Sequence, residues 1–249
     1  YGSACFCLIT ARAWGLWALA LTIPGANRFE PLLGADVSFG LGRFSAIALA
    51  LELLLLQLLL VLSTAIWSRL TRSSCLSDWG FPGWTTQERR LLRPLLAALF
   101  LVLAALLWLS RHQLLWTQNG VVAGAGWLDV HLILPLRVGG SVLLGLLATT
   151  LFPWPGVSSR RRRGMRGVFF ALAIMLLLTE ILVAPLLQWM VVRPREFQLE
   201  GPFLSHAITA TRDAYQLDGM TTRPINPSKQ LEAEDLIQGE STLKNIRLW

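Results

Sequence analysis

Charge is scarce in this 249-residue chain: only 15% of its residues are Asp, Glu, Lys or Arg, where a soluble domain usually carries about 25%. Cysteine is scarcer still. Cys5, Cys7 and Cys75 make neither a disulfide framework nor a metal spacing, and they read as small apolar residues. The three histidines, His112, His131 and His206, are all expected outside the apolar stretches, which disfavours pigment ligation by a histidine within a span. Catalytic motifs are missing too: there is no H-E-x-x-H, no phosphate-binding P-loop and no nucleophile elbow. "FGLGRF" and "GAGW" look like phosphate-loop fragments, but neither follows a strand and opens a helix. No catalytic residue and no metal site is assigned. His112, His131 and Asp129 are a weak set of metal ligands, because the two histidines lie far apart in sequence.

Apolar sequence takes the place of charge. Hydrophobic residues make up 54% of the chain and the mean hydropathy is +0.53. A helix that crosses the hydrocarbon core of a bilayer needs about 20 apolar residues. Five stretches approach or reach that length, at about 4–23, 45–67, 91–109, 132–152 and 168–192. Pro24-Gly25 closes the first, and Pro153 and Pro155 close the fourth. Pro185 lies inside the fifth, where it removes a backbone hydrogen bond and favours a kink. The expected fold is all-α: a polytopic membrane helix bundle over residues 1–192, followed by a short soluble segment, 193–249, with an amphipathic helix.

The arginines orient the bundle. Short loops rich in Lys and Arg stay on the cytoplasmic side. Arg160, Arg161, Arg162, Arg163 and Arg166 crowd the loop before the fifth span, and Arg69, Arg72, Arg89, Arg90 and Arg93 crowd the loop before the third. The alternate loops carry few. Both clusters are therefore expected inside, with everything after Arg193 outside. Nucleic acid is not an expected partner, since the arginine run lacks interleaved aromatics and a recognisable module. Membrane lipid is one, and anionic lipid suits the loop.

The last segment has a different composition. Residues 193–249 hold seven basic and eight acidic side chains, a net charge of −1, so the chain's excess of +7 belongs to the membrane part. Leu204, Ile208, Thr211 and Tyr215 recur at helical spacing between Pro202 and Leu217, which predicts an amphipathic helix. "TTRPINPSKQ" (221–230) reads as a linker.

Four ionisable residues fall in or near spans: Arg12, Glu52, Arg137 and Glu180. Ionisable groups at that depth are costly and mark candidate sites. They read as an intramembrane charged network, either ion pairs that lock helices or a proton or ion pathway. Ser141, Gly145 and Thr149, spaced four apart in the fourth span, read as a face for close helix packing. Trp67, Trp79, Trp84, Trp116, Trp127, Trp154 and Trp189 fall near span ends or in short loops, as in an interfacial aromatic belt.

Three segments carry a resemblance: "RHQLLWTQNGVVAGAGWLDVHLILPLR" (111–137), "VVRPREFQLEGPFLSHAITATRDAYQLD" (191–218) and "STLKNIRLW" (241–249). With "NRFEPLLGADVSFGLGRF" (27–44) they resemble a large uncharacterised family of bacterial and archaeal membrane proteins, common in cyanobacteria, actinobacteria and clostridia. The chain departs from the family pattern at Gly126-Trp127, where Ser/Gly-Tyr-Thr is usual. The resemblance implies about seven N-terminal spans and a large extracytoplasmic domain, so this chain is expected to be an internal fragment holding the last five spans. It implies no reaction and no catalytic residue. The leading expectation is a non-enzymatic anchor, an accessory or assembly subunit of a larger membrane complex in the plasma or thylakoid membrane, with other membrane-protein subunits as partners. No cofactor is expected beyond lipid, with pigment contacts only within a photosynthetic complex. A transporter using Glu52, Glu180 and Arg12 is the second reading, and an enzyme with its active site in the outer domain is the third.

Overall fold

Leucine and alanine dominate the apolar runs, and both favour helix because they lose little side-chain freedom in it. The computed structural model of the protein describes residues 9–71, 84–117, 124–152, 158–221 and 240–245. Regular structure among them is helical, apart from one isolated antiparallel bridge between Phe29 and Asp36. The α-helices are α1 (Trp14–Thr22), α2 (Phe44–Thr71), α3 (Thr86–Ser110), α4 (Leu134–Thr149), α5 (Ser159–Leu178), α6 (Ala184–Leu187), α7 (Glu196–Ala214) and α8 (Glu240–Asn245).

Among the described residues four helical stretches are long and apolar enough to cross a membrane: Phe39–Thr71, Gln87–Trp116, Asp129–Thr149 and Arg160–Ala214. They take in the second to fifth expected spans. The first, 4–23, is described from residue 9 onward, where residues 9–12 and α1 are helical. Its opening residues lie outside the described residues, as do all three cysteines and most of the expected 221–230 linker. The apolar surface points outward. Leu60, Ile181, Leu182 and Trp189 are all exposed, and only 6% of the most apolar window in Arg160–Ala214 is buried. Lipid accommodates such surface, whereas water drives it into a core.

Successive helices pack antiparallel, α3 on α4 and α4 on α5, with α2 against α3. Gly140 permits the α3–α4 approach: a Cβ there would lie 2.8 Å from Leu107 Cδ2. At one end of the bundle, a capping box starts α3: Thr85 Oγ1 accepts from Glu88 N, and Glu88 Oε2 accepts from Thr85 N. Arg69, near the end of α2, pairs with the same Glu88 at 3.4 Å. At the other end, Phe39, Phe44, His112 and Trp116 pack ring against ring.

Among the described residues four π turns interrupt the helices: Phe39–Arg43, Asp129–Ile133, Thr179–Val183 and Gln188–Val192. After three of them the pattern is the same. Leu134, Ala184 and Arg193 each donate to the carbonyl five residues back, and the next residue is Pro135, Pro185 or Pro194. A proline has no N–H to give, and its ring crowds the carbonyl four residues before it. The wider turn relieves that crowding and leaves the helix continuous. The irregularity expected at Pro185 takes this form.

The chain divides into two compact units, 1–207 and 208–249. The amphipathic helix expected over 202–217 is observed as Glu196–Ala214, with Pro202 inside it. It begins earlier because the preceding span runs into it through the 3-10 turn Arg193–Arg195, so no new nucleation is needed at Pro202. Within the second unit Ile208 and Tyr215 stay exposed. Gln216, at φ 53, ends the helix in the left-handed region, and α8 carries a Lys244–Glu240 pair at 2.9 Å.

Candidate functional site

Three of the π turns, Asp129–Ile133, Thr179–Val183 and Gln188–Val192, border one cavity of about 520 Å³. Its polar lining is Asp129, Arg137, Glu180, Gln188, Arg193 and Glu200, set against an apolar wall that includes Ile133, Ala184 and Pro185. That volume falls in the range of ligand-sized pockets, and a concave apolar site with a few convergent polar groups is where binding is sought first. The cavity lies far from the arginine run. Glu180 is 18 residues along the same helical stretch from Arg162, roughly 27 Å at 1.5 Å per residue, close to the thickness of a hydrocarbon core.

Arg137 anchors the cavity floor. Its Nε and Nη2 donate to Glu180 Oε1 at 3.0 and 2.9 Å. Its Nη1 donates to the main-chain oxygen of Ser110 at 2.6 Å. Ser110 is the last residue of α3, and the 3-10 turn Arg111–Trp116 follows it at once, so the guanidinium adds a charged donor where the helix tightens. One side chain thus ties together α4, the end of α3 and the π turn that holds Glu180. Their side chains are only 17% and 22% exposed.

Asp129 and Glu200 organise the rim. The helix before α4 starts at Trp127. Asp129 Oδ2 accepts from Gly126 N at 3.0 Å, the backward arm of a capping box, and from the Thr117 hydroxyl at 3.1 Å. Glu200, 73 residues further on, accepts from Trp127 N at 3.2 Å. Its carboxylate sits on the free N–H groups of a helix start, where negative charge is favoured. Gly126 is required for this contact, because a Cβ there would lie 2.9 Å from Glu200 Oε1. His131 stacks on Trp127 with ring centroids 4.7 Å apart, and its Nδ1 lies 2.8 Å from Trp127 O.

A second polar knot lies in the loop before α2. Asp36 accepts from Ser38 N at 2.8 Å, Asn27 N at 3.1 Å and Ala26 N at 3.2 Å. The Ser38 bond first, and then the others, hold its carboxyl below the usual aspartate range, against some desolvation. Asp36 thereby caps the helical segment that begins at Val37.

The four charged residues expected to form a network are distributed unevenly. Arg137 and Glu180 meet. Arg12 and Glu52 are exposed, and neither bonds to that pair among the described residues. Arg160, Arg161 and Arg163 are exposed, and Arg162 and Arg166 are half-buried. Of the small residues in α4, Ser141 is buried, Thr149 is exposed, and Gly145 has open space where a Cβ would stand. The tight approach falls at Gly140 instead, because α4 buries the face of Gly140, Ser141, Leu147 and Ala148. Among the described residues no three of His, Cys, Asp and Glu gather as metal ligands.

Sequence reading missed Glu200, Gly126, Asp129 as a cap, and Gly40. Glu200 carries no local signal, since its partner is 73 residues away. Gly40 was legible only as part of a weak phosphate-loop pattern. In the fold its role is contact: a Cβ there would lie 2.8 Å from the Trp116 ring.

Residues 1–249 match the profile of the Uncharacterised protein family (UPF0182). The chain belongs to the UPF0182 family. It is 61% identical over its whole length to a UPF0182 protein of Synechococcus sp. (strain CC9311) and 54% identical to one of Prochlorococcus marinus (strain MIT 9303). A UPF0182 protein of Synechococcus elongatus (strain ATCC 33912 / PCC 7942 / FACHB-805) is 32% identical over 99% of the chain. The chain spans about a quarter of the length of these relatives: 27%, 26% and 26% respectively. No solved structure matches it.

Proposed function

We propose that this UPF0182 segment is a non-enzymatic membrane anchor: it crosses the bilayer and holds a longer protein there as an accessory or assembly part of a larger membrane complex. One observation carries the reading. Arg137 directs its hydrogen bonds into the bundle, to Glu180 and to the end of α3, which is the behaviour of a helix lock. Arg12 and Glu52 stand apart from that lock, and this weakens the rival reading of a charge pathway through the bundle. The named relatives are cyanobacterial, which makes a photosynthetic-membrane complex a natural setting, with the plasma membrane as the alternative location.

The test compares Glu180→Gln and Glu52→Gln in the full-length protein, reconstituted in vesicles. An anchor loses thermal stability with Glu180→Gln, tolerates Glu52→Gln, and carries no proton or ion current in any form. A wild type that conducts, with Glu180→Gln folded but silent, supports a transporter instead. Co-purification in mild detergent addresses the partners: a protein always recovered alone counts against the accessory role. Catalysis by the remaining three quarters of the full-length protein would favour an enzyme.

A further inference from the structure

Nine arginines stand at one end of the first unit, at Arg69, within 89–93 and within 160–166. Among the described residues one acid accompanies them, Glu88, and it already serves the capping box and Arg69. Arg162 and Arg166 are half-buried, and each donates once, to a carbonyl. Arg162 Nη1 bonds Phe152 O at 3.3 Å, and Arg166 Nε bonds Arg162 O at 3.4 Å. A guanidinium has five N–H donors, so most of theirs are uncommitted among the described residues. Arg163 stands one turn before Arg166 on α5, and Arg93 stands two turns into α3 at the same end of the bundle, near enough to Arg166 for their charges to interact. The first turn of α5 holds no acid, although a helix start favours negative charge. Cations drawn together in this way repel one another until an anion lies among them.

We propose that Arg93, Arg162, Arg163 and Arg166 bind the phosphate headgroup of an anionic phospholipid at this end of the bundle. The guanidinium fork matches phosphate oxygens. What selects a lipid over other phosphates is the next turn of α5. Immediately after the cluster, Val168 and Phe170 are 56% and 50% exposed, and they offer apolar surface to an acyl chain. Trp67, near the end of α2, is also exposed, as suits a residue at headgroup level. A nucleic acid or a free phosphate would make no use of that apolar surface. The proposal rests on the membrane-spanning reading.

The full-length protein is first extracted from its membrane with alkaline carbonate; release into the wash defeats the spanning reading and the lipid site together. Retained protein is placed in nanodiscs of equal phosphatidylglycerol and phosphatidylcholine, and the lipids it keeps are counted by native mass spectrometry. The expected result is enrichment of phosphatidylglycerol, reduced roughly fivefold for each arginine replaced by glutamine. Because the 160–166 stretch also orients the chain, Arg162→Gln with Arg166→Gln is run beside Arg93→Gln, which leaves that stretch whole. Equal retention of the two lipids, an unchanged preference in Arg93→Gln, displacement of lipid by inorganic phosphate, or nucleic acid in its place would overturn the proposal.

Discussion

Arg137 and Glu180, 43 residues apart in sequence, meet with Nη2 and Oε1 2.9 Å apart, and the same guanidinium holds Ser110 O. Removing one partner leaves the other's hydrogen bonds unmade in a half-buried site, at a cost of about 1–3 kcal/mol. Arg137→Leu and Glu180→Leu should each lower thermal stability in detergent by that order. The double variant should lose less than either single change, because apolar residues replace the pair without an orphaned charge. Losses that simply add would show that the pair is not coupled.

Gly126 and Glu200 give a second test. Gly126→Ala places a methyl group against the Glu200 carboxylate and should push it off Trp127 N, at a cost of about 1 kcal/mol for the lost hydrogen bond. Adding Glu200→Ala should cost little more, since the cap on Trp127 N is already lost. Thermal unfolding in detergent, followed by circular dichroism, reads both changes.

The loop around Asp36 should respond to acid. Its carboxyl is held below the ordinary value by hydrogen bonds, that from Ser38 foremost. A depressed folded-state pKa contributes stability above the unfolded value, about 3.9 for aspartate. That contribution is lost as pH falls through the folded value. Proteolysis of the 24–38 loop should therefore rise below about pH 4 in the wild type, and Asp36→Asn should show no such step. An acid step of equal size in both proteins would assign the transition to another group.

The span helices were legible because their signal is local: runs of Leu and Ala at bilayer length need no knowledge of the partner. Arg137 and Glu180 were legible as residues, since ionisable groups in apolar sequence stand out. Their pairing, and the absence of Arg12 and Glu52 from it, depend on helix rotation, which composition does not encode. The π turns show partial legibility. Pro185 announced an irregularity, yet only the fold shows the same device before Pro135 and Pro194. Glu200 at the start of a helix 73 residues away is a tertiary contact with no trace in its own neighbourhood. Gly145 looked like the packing glycine by spacing, but Gly140 faces Leu107 because the buried face of α4 runs through Gly140, Ser141, Leu147 and Ala148 and meets that stripe only at Ser141.

Sidedness tests the membrane-anchor reading most directly. Single cysteines are placed at Arg160 and at Phe197, which is 95% exposed, in a full-length protein whose native cysteines have been replaced. Both are then challenged with an impermeant maleimide in right-side-out and inside-out vesicles. The expected result is opposite sidedness: Phe197→Cys labels in one preparation and Arg160→Cys in the other. Labelling of both positions in the same preparation would contradict a bilayer crossing between the arginine run and Glu196–Ala214.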